Sequence, residues 1–247
     1  MGAVVVEATE VSWRAAAEQA VRRLAAMTVG GALAGVLVGG VGGRLAMMLL
    51  AAVNPDAAGV TSDDGFTIGQ LTLSGSVQLL GAALQLGLIG AAVYTLLRGL
   101  LIGPRWFQVL SISVGPAVVV GTQLVHSDGV DFTLLQPLWL TIGLFLLIPA
   151  LFAACLTLLA ERWMRPGGWS SRASLGLVIA TLVLWVPVLP LLPLLVVAWL
   201  VAELLRRVAV LEPWVSGPAL RWAARGGLGV VFVVAAVDLG RKVVVLA

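Results

Sequence analysis

Residues 138–160 have the sequence LWLTIGLFLLIPALFAACLTLLA and contain no charged side chain. An α-helix rises about 1.5 Å per residue, so an apolar run of about 20 residues is long enough to cross the roughly 30 Å hydrocarbon core of a bilayer. The run also lacks the alternation of apolar and polar residues that a membrane β-barrel strand requires. This stretch therefore predicts a membrane-spanning α-helix.

The rest of the chain has a similar composition. Hydrophobic residues make up 60% of the 247 residues and charged residues 11%, and the mean hydropathy is +1.08. So little polar surface cannot cover a water-soluble particle of this size. We therefore predict an all-α, multi-pass transmembrane helical bundle whose main partner is the lipid bilayer. The net charge of +3 does not indicate nucleic acid, because the arginines are scattered beside apolar runs.

Four apolar runs are predicted to be spans 1 to 4, and they cover residues 24–49, 71–97, 106–125 and 138–160. Arginines precede span 1 and follow spans 2 and 4, whereas the loops after spans 1 and 3 carry aspartates. Because basic residues are retained on the inner side of a membrane, we predict a cytoplasmic N-terminus. Lys242 is the single lysine beside many arginines, as expected of a GC-rich genome, so our hypothesis for the location is a bacterial inner membrane.

We predict three segments along the chain. Residues 1–23 form a cytoplasmic amphipathic segment, residues 24–165 form the membrane unit of spans 1 to 4, and residues 166–247 form a proline-broken hairpin plus a C-terminal membrane helix. Residues 174–205 form either one kinked helix or a hairpin that turns at its prolines; the hairpin is preferred because it returns the later arginines to the cytoplasm. The run 220–246 is either a seventh span or an interfacial helix, so the total is six or seven spans.

The two acidic loops share a short sequence. Residues 62–70, SDDGFTIGQ, resemble residues 127–136, SDGVDFTLLQ, once a one-residue gap is allowed. Both precede an even-numbered span, which predicts that spans 1 and 2 and spans 3 and 4 are duplicated helical hairpins. A capping role explains the similarity, because each segment carries a threonine and a glutamine at capping-box spacing. These pairs are Thr67 with Gln70 and Thr133 with Gln136.

One face of span 1 carries only glycine. Its glycines follow each other at four-residue spacing and form what we call the glycine face: Gly31, Gly35, Gly39 and Gly43. Without side chains, two helix backbones can approach very closely. We therefore predict close helix packing on this face, with a partner helix or with a second copy of the chain.

Arg44 directly follows the glycine face. An arginine near the extracytoplasmic end breaks the orientation rule, and it is costly in hydrocarbon unless it snorkels to the interface or faces an anionic partner. We predict an ion pair between Arg44 and the next loop, with Asp63 or Asp64, or with Asp56.

Two rows of polar residues, which we call the polar seams, run along spans 2 and 3. They consist of Ser74, Gln78 and Gln85 in span 2 and of Gln108, Ser111 and Thr122 in span 3. If the seams face each other, they line a polar path for a solute or proton, or they join the helices by hydrogen bonds, as such groups often do in lipid.

The sequence contains no P-loop, no G-x-S-x-G and no H-E-x-x-H, so it predicts no enzyme. We predict no cofactor and no metal site, because the external aspartates are better explained as helix caps and zinc-ligand spacing is absent. The functional prediction is a small-solute or ion permease-like protein that uses the polar seams. The alternative is a non-catalytic scaffold or accessory subunit of a larger complex.

Overall fold

The fold is known from a computed structural model that describes residues 2–63, 65–126, 129–191 and 218–246. These residues are predominantly helical and form no β-strand. The helices are α1 (Gly2–Ala34), a π-helix (Gly35–Gly42), α2 (Gly43–Val53), α3 (Leu73–Leu97), α4 (Arg105–Leu124), α5 (Val130–Leu134), α6 (Leu138–Met164), α7 (Trp169–Arg172), α8 (Leu175–Thr181) and α9 (Pro218–Leu246). Two 3-10 helices cover Pro55–Ala57 and Leu182–Leu191.

Four helical stretches among the described residues are long and apolar enough to cross a membrane. They are Trp13–Val53, Leu73–Leu97, Arg105–Leu124 and Leu138–Arg172. Many of their leucines and valines are exposed, as expected of helices that face lipid. These stretches correspond to the predicted spans 1 to 4 and suit a protein embedded in a membrane.

The first helix is longer than the sequence analysis predicts. Trp13–Val53 is 41 residues long, or about 60 Å, which is twice the thickness of the hydrocarbon core. No break separates residues 2–23 from span 1, because α1 passes directly through Arg23. Residues 3–29 contain neither glycine nor proline, so nothing in the sequence interrupts the helix there.

The four long helices form two pairs. The stretch from α1 through the π-helix packs on α3, and α4 packs on α6. α1 also contacts α6, which joins the two pairs through a core of Met27, Ala34, Ala91 and Leu156. The end of the bundle that carries Arg98 and Arg105 is called the basic end below, and the opposite end, with residues 54–72 and 125–137, the loop end.

The two similar loop sequences adopt different structures. In the first loop Thr61 forms a β-bridge with Thr67, and in the second α5 covers Val130–Leu134. The predicted capping boxes are wrong: α3 is capped by Thr72, whose Oγ1 accepts from the Gly75 N–H at 3.1 Å, and Thr133 lies inside α5. The loops therefore give the proposed duplication no structural support; Ser127 and Asp128 lie outside the described residues.

The proline-rich stretch starts as a helix beside α1. α8 continues into the 3-10 helix Leu182–Leu191, in which Trp185 Nε1 donates to Thr28 Oγ1 at 2.8 Å. Pro187 and Pro190 lie within this 3-10 helix, where their missing N–H groups disrupt α-helical hydrogen bonding. The predicted turn and second arm of the hairpin lie outside the described residues.

α9 runs alongside α4 from the basic end to the loop end. Near its start Arg225 Nε donates to the Leu100 carbonyl at 2.9 Å, and near its end Lys242 Nζ donates to the Thr122 carbonyl. Its 29 residues are about 43 Å long, which is enough to cross a bilayer. It is not among the four stretches that are both long and apolar enough to cross a membrane.

Candidate functional site

The glycine face is covered by α3 of the same chain. A Cβ added at Gly35 would lie 2.3 Å from the Ala83 carbonyl oxygen, and one added at Gly87 would lie 2.3 Å from the Gly31 carbonyl oxygen. The two backbones are thus in direct contact, which only small residues allow. The close packing expected at this face occurs within the chain, and this leaves the face unavailable to a second copy.

The polar seams do not face each other. α3 packs mainly on α1 and the π-helix, whereas α4 packs on α6 and α9. Thr122 Oγ1 donates to Asp238 Oδ2 of α9 at 2.5 Å, and Gln108 Nε2 donates to the Gly103 carbonyl at 2.9 Å. Ser74, Gln78 and Gln85 are exposed, Gln108 and Ser111 are half-buried, and Thr122 is buried. No continuous polar path between α3 and α4 is present among the described residues.

Arg44 does not form the expected ion pair with Asp63. Its guanidinium lies over the Phe66 ring, with Cζ 5.2 Å from the ring centroid. Nε and Nη2 are buried and have no hydrogen-bond partner in the described ranges. Nη2 also lies 2.8 Å from the position that a Cβ on Gly75 would occupy, so the first turn of α3 packs against the guanidinium.

Asp63 instead joins the two loops at the loop end. Its carboxylate accepts hydrogen bonds from the N–H groups of Val130 at 3.0 Å and of Asp131 at 3.1 Å. Asn54 Oδ1 similarly accepts from the Gln136 N–H at 2.7 Å. Asp63 is therefore engaged by backbone donors of the second loop, which explains why it does not pair with Arg44. Asp64 lies outside the described residues, and no ion pair of Asp56 is recorded in the described part of the chain.

The basic end holds a cluster of charged residues from three helices. Arg98 Nη2 of α3 lies 2.9 Å from Glu161 Oε1 of α6, and Arg105 Nη2 of α4 lies 3.8 Å from Glu161 Oε2. The Tyr94 hydroxyl donates to Glu161 Oε1 at 3.2 Å. Glu161 thus accepts a hydrogen bond from Tyr94 and forms ion pairs with two arginines, and its own side chain is 28% exposed. One carboxylate of α6 therefore contacts α3 and α4 at the basic end.

Two cavities lie beside this cluster. The first, of about 420 Å³, is called the polar cavity and is lined by Arg23, Arg98, Glu161, Met164 and Arg165. The second, of about 520 Å³, is called the deep cavity, and its polar lining residues are Tyr94, Arg98, Arg105, Gln108, Thr157, Glu161 and Arg165. Leu101, Trp106, Val109 and Leu158 give the deep cavity an apolar side as well.

The charges around the two cavities are not balanced. Four arginines and one glutamate line them, so four positive charges against one negative charge leave three uncompensated. Arginine binds carboxylates and phosphates through paired N–H donors. The cavities are therefore suited to an anionic ligand, and they are the best candidate site in the part of the chain that the structure describes.

Only part of this site is anticipated by the sequence analysis. Gln108 belongs to a predicted seam and does line the deep cavity, whereas Tyr94 and Glu161 are missed. Glu161 leaves a signal in the sequence, because it is an acidic residue beside Arg162 and Arg165 at the end of an apolar run. A lone carboxylate among arginines at a span end indicates that some arginine is paired with it.

Among the described residues, no three histidine, cysteine, aspartate or glutamate side chains are grouped as metal ligands. Comparison of the chain with protein-family models, with curated proteins and with solved structures found no match.

Proposed function

We propose that the chain is a permease-like protein of a bacterial inner membrane that takes a small anionic solute into the deep cavity. The observation that carries this proposal is the cavity itself, which is bordered by Arg98 and Arg105 and holds about 520 Å³. The proposal includes no catalysis, since nothing in the sequence predicts a reaction. The polar seams enter through Gln108, which lines the cavity, and through Gln85, as the proposed continuation of the path along α3.

The depth of the cavity supports entry into the membrane region. Three of the charged residues that line it have a polar lining residue one helical turn further in, about 5 Å deeper. The pairs are Arg98 with Tyr94, Arg105 with Gln108, and Glu161 with Thr157. A solute held by the arginines would therefore meet hydroxyl and amide groups below them, which is how a polar pathway is lined.

The proposed topology puts the basic end in the cytoplasm, with α9 as an additional span. Because α9 runs parallel to α4, a cytoplasmic start at Arg225 gives an extracytoplasmic end beyond Lys242. We expect an epitope tag joined after Ala247 to be accessible from outside intact spheroplasts, and a tag joined before Gly2 to be protected. The opposite result for the C-terminal tag would rule out α9 as an upright span.

Cysteine labelling tests whether water reaches beyond the deep cavity. In a Cys155→Ala background, we expect Gln108→Cys to react with a membrane-impermeant maleimide added to inside-out vesicles. A permease also needs a water path beyond the cavity, and Gln85 is the seam residue of α3 that lies nine residues, about 14 Å, from Tyr94. We therefore expect Gln85→Cys to react as well, while the lipid-exposed neighbour Leu86→Cys is protected. Protection of Gln85→Cys from both sides would overturn the permease proposal.

The scaffold alternative has one observation in its favour. Gln78 and Gln85 are exposed on α3, and amide side chains in hydrocarbon usually hydrogen-bond to another helix. If the chain is a scaffold, cysteines placed at Gln78 and Gln85 would be protected from maleimide and would form crosslinks to a neighbouring protein in native membranes. Reaction with maleimide and absence of such crosslinks would contradict the alternative.

A further inference from the structure

The polar cavity differs from the deep cavity in position and lining. It lies between α1, α3 and α6, and Arg23 lines it without lining the deep cavity. Among the arginines of this cavity, Arg98 is the one with a carboxylate partner in the described ranges: its Nη2 pairs with Glu161 and its Nη1 donates to Met164 Sδ at 3.4 Å. For Arg23 and Arg165 no ion pair is recorded among the residues described. Two guanidinium groups therefore border a space of about 420 Å³ with their charge uncompensated.

The level of the cavity along the helices matches the headgroup layer of a membrane. It lies at the end of the apolar stretch of α6, where charged residues begin at Glu161. Trp163 and Trp169 lie at the same helix end, with ring centroids 5.9 Å apart. Tryptophan side chains are enriched at the boundary between hydrocarbon and headgroups. An oxyanion in this cavity would thus lie at the depth of lipid phosphates.

We infer that the polar cavity binds the phosphate headgroup of an anionic phospholipid from the leaflet at the basic end. The phosphate lies between Arg23 and Arg165, and Arg98 borders the same cavity. No carboxylate of the described residues pairs with Arg23 or Arg165 there. Phosphate oxygens accept charge-assisted hydrogen bonds from arginine, and the leaflet supplies them at high local concentration. The inference can be tested apart from transport through Arg23, the charged lining residue that the polar cavity does not share with the deep cavity among the described residues.

Lipid titration of the purified full-length protein in detergent, followed by native mass spectrometry, tests the inference. We expect phosphatidylglycerol to bind at least tenfold more tightly than phosphatidylcholine with the same acyl chains. One arginine near a lipid surface contributes about fivefold in affinity, so Arg23→Gln is expected to weaken phosphatidylglycerol binding about fivefold and Arg23→Glu more than 20-fold. Arg162→Gln is the matched control, because Arg162 is exposed at the same helix end and lines neither cavity.

Three results would overturn the inference. They are equal affinity for the two lipids, equal binding by Arg23→Gln and Arg162→Gln, and displacement of phosphatidylglycerol by millimolar inorganic phosphate, which would identify a soluble anion as the ligand. The result is separable from the permease proposal. Arg23→Gln leaves the deep cavity unchanged, and the cysteine-labelling pattern at Gln108 and Gln85 does not depend on lipid binding.

Discussion

Gly87→Val is expected to lower the stability of the folded protein by about 3 kcal/mol or more, because overpacking costs about 1 to 3 kcal/mol even where side chains yield. At Gly87 the nearest atom to an added Cβ is the Gly31 carbonyl oxygen, at 2.3 Å, followed by Gly35 Cα at 3.0 Å. These are backbone atoms of the facing helix, so no change of rotamer relieves the clash. The helices must separate along the whole glycine face.

Gly81→Val in the same helix is the matched control. No atom lies within 4 Å of a Cβ added at Gly81, so valine fits there without moving a neighbour. Replacing glycine in a helix interior also lowers the entropy of the unfolded chain. We therefore expect Gly81→Val to be neutral or slightly stabilising, within about 1 kcal/mol of the parent.

Denaturation in mixed detergent micelles with increasing sodium dodecyl sulfate, followed by tryptophan fluorescence, measures both variants. For Gly87→Ala we expect a midpoint between those of the parent and of Gly87→Val, because alanine adds only the clashing Cβ. Equal midpoints for Gly87→Val and Gly81→Val would mean that the contact between the glycine face and α3 is not tight. Loss of folding in both variants would mean that valine is poorly tolerated in α3 for reasons unrelated to this contact.

The glycine face also shows how much of the fold can be predicted from the sequence. Four-residue glycine spacing predicts close packing, but it does not identify the partner, because any small-residue stripe fits. The stripe in α3, Ala83, Gly87 and Ala91, has the same spacing and is visible in the sequence. Matching the two stripes would have predicted the pairing of span 1 with span 2 inside the chain.

The loops show why short sequence similarity fails to predict structure here. Gly69 has a φ of +74°, a conformation that side chains other than glycine rarely adopt. The aligned residue in the second loop is Leu135, so the second loop cannot form the same turn. The similarity between residues 62–70 and 127–136 therefore does not extend to the residue on which the first turn depends.

The charged cluster at the basic end depends on tertiary packing. Orientation rules predict that Arg98, Arg105 and Arg165 lie on one side of the membrane. They do not predict that α3, α4 and α6 converge so that one carboxylate, Glu161, meets two of the guanidinium groups. The cavities beside Glu161 arise from that convergence, and no periodicity in a single span encodes it.

Arg44→Met is expected to stabilise the protein by about 1 to 2 kcal/mol. Each buried N–H without an acceptor costs about 1 to 3 kcal/mol, and Arg44 has two such nitrogens, Nε and Nη2. The contact with the Phe66 ring stabilises the protein by about 0.5 to 2 kcal/mol, which is less than the cost of burying two nitrogens without acceptors. Methionine is shorter but flexible and packs well against aromatic rings, so it replaces part of the contact with Phe66 and removes the unsatisfied donors.

Arg44→Glu separates this explanation from the ion-pair hypothesis. A glutamate in the same position would be a buried carboxylate beside Phe66 and is expected to destabilise by about 3 kcal/mol or more. If Arg44 and Asp63 formed a pair, the double variant Arg44→Glu with Asp63→Arg would recover that loss. Asp63 accepts hydrogen bonds from the backbone N–H groups of Val130 and Asp131, so we expect Asp63→Arg to lower the stability of the folded protein further.

The same detergent denaturation experiment decides between these outcomes. A midpoint for Arg44→Met above the parent and a double variant below both single variants would agree with an arginine that has no protein partner. A lower midpoint for Arg44→Met would mean that the guanidinium is stabilised by an anion at the loop end. In that case the cost of burying Nε and Nη2 is offset by an interaction that the protein's own described side chains do not supply, and the stability of the parent should rise with the concentration of that anion.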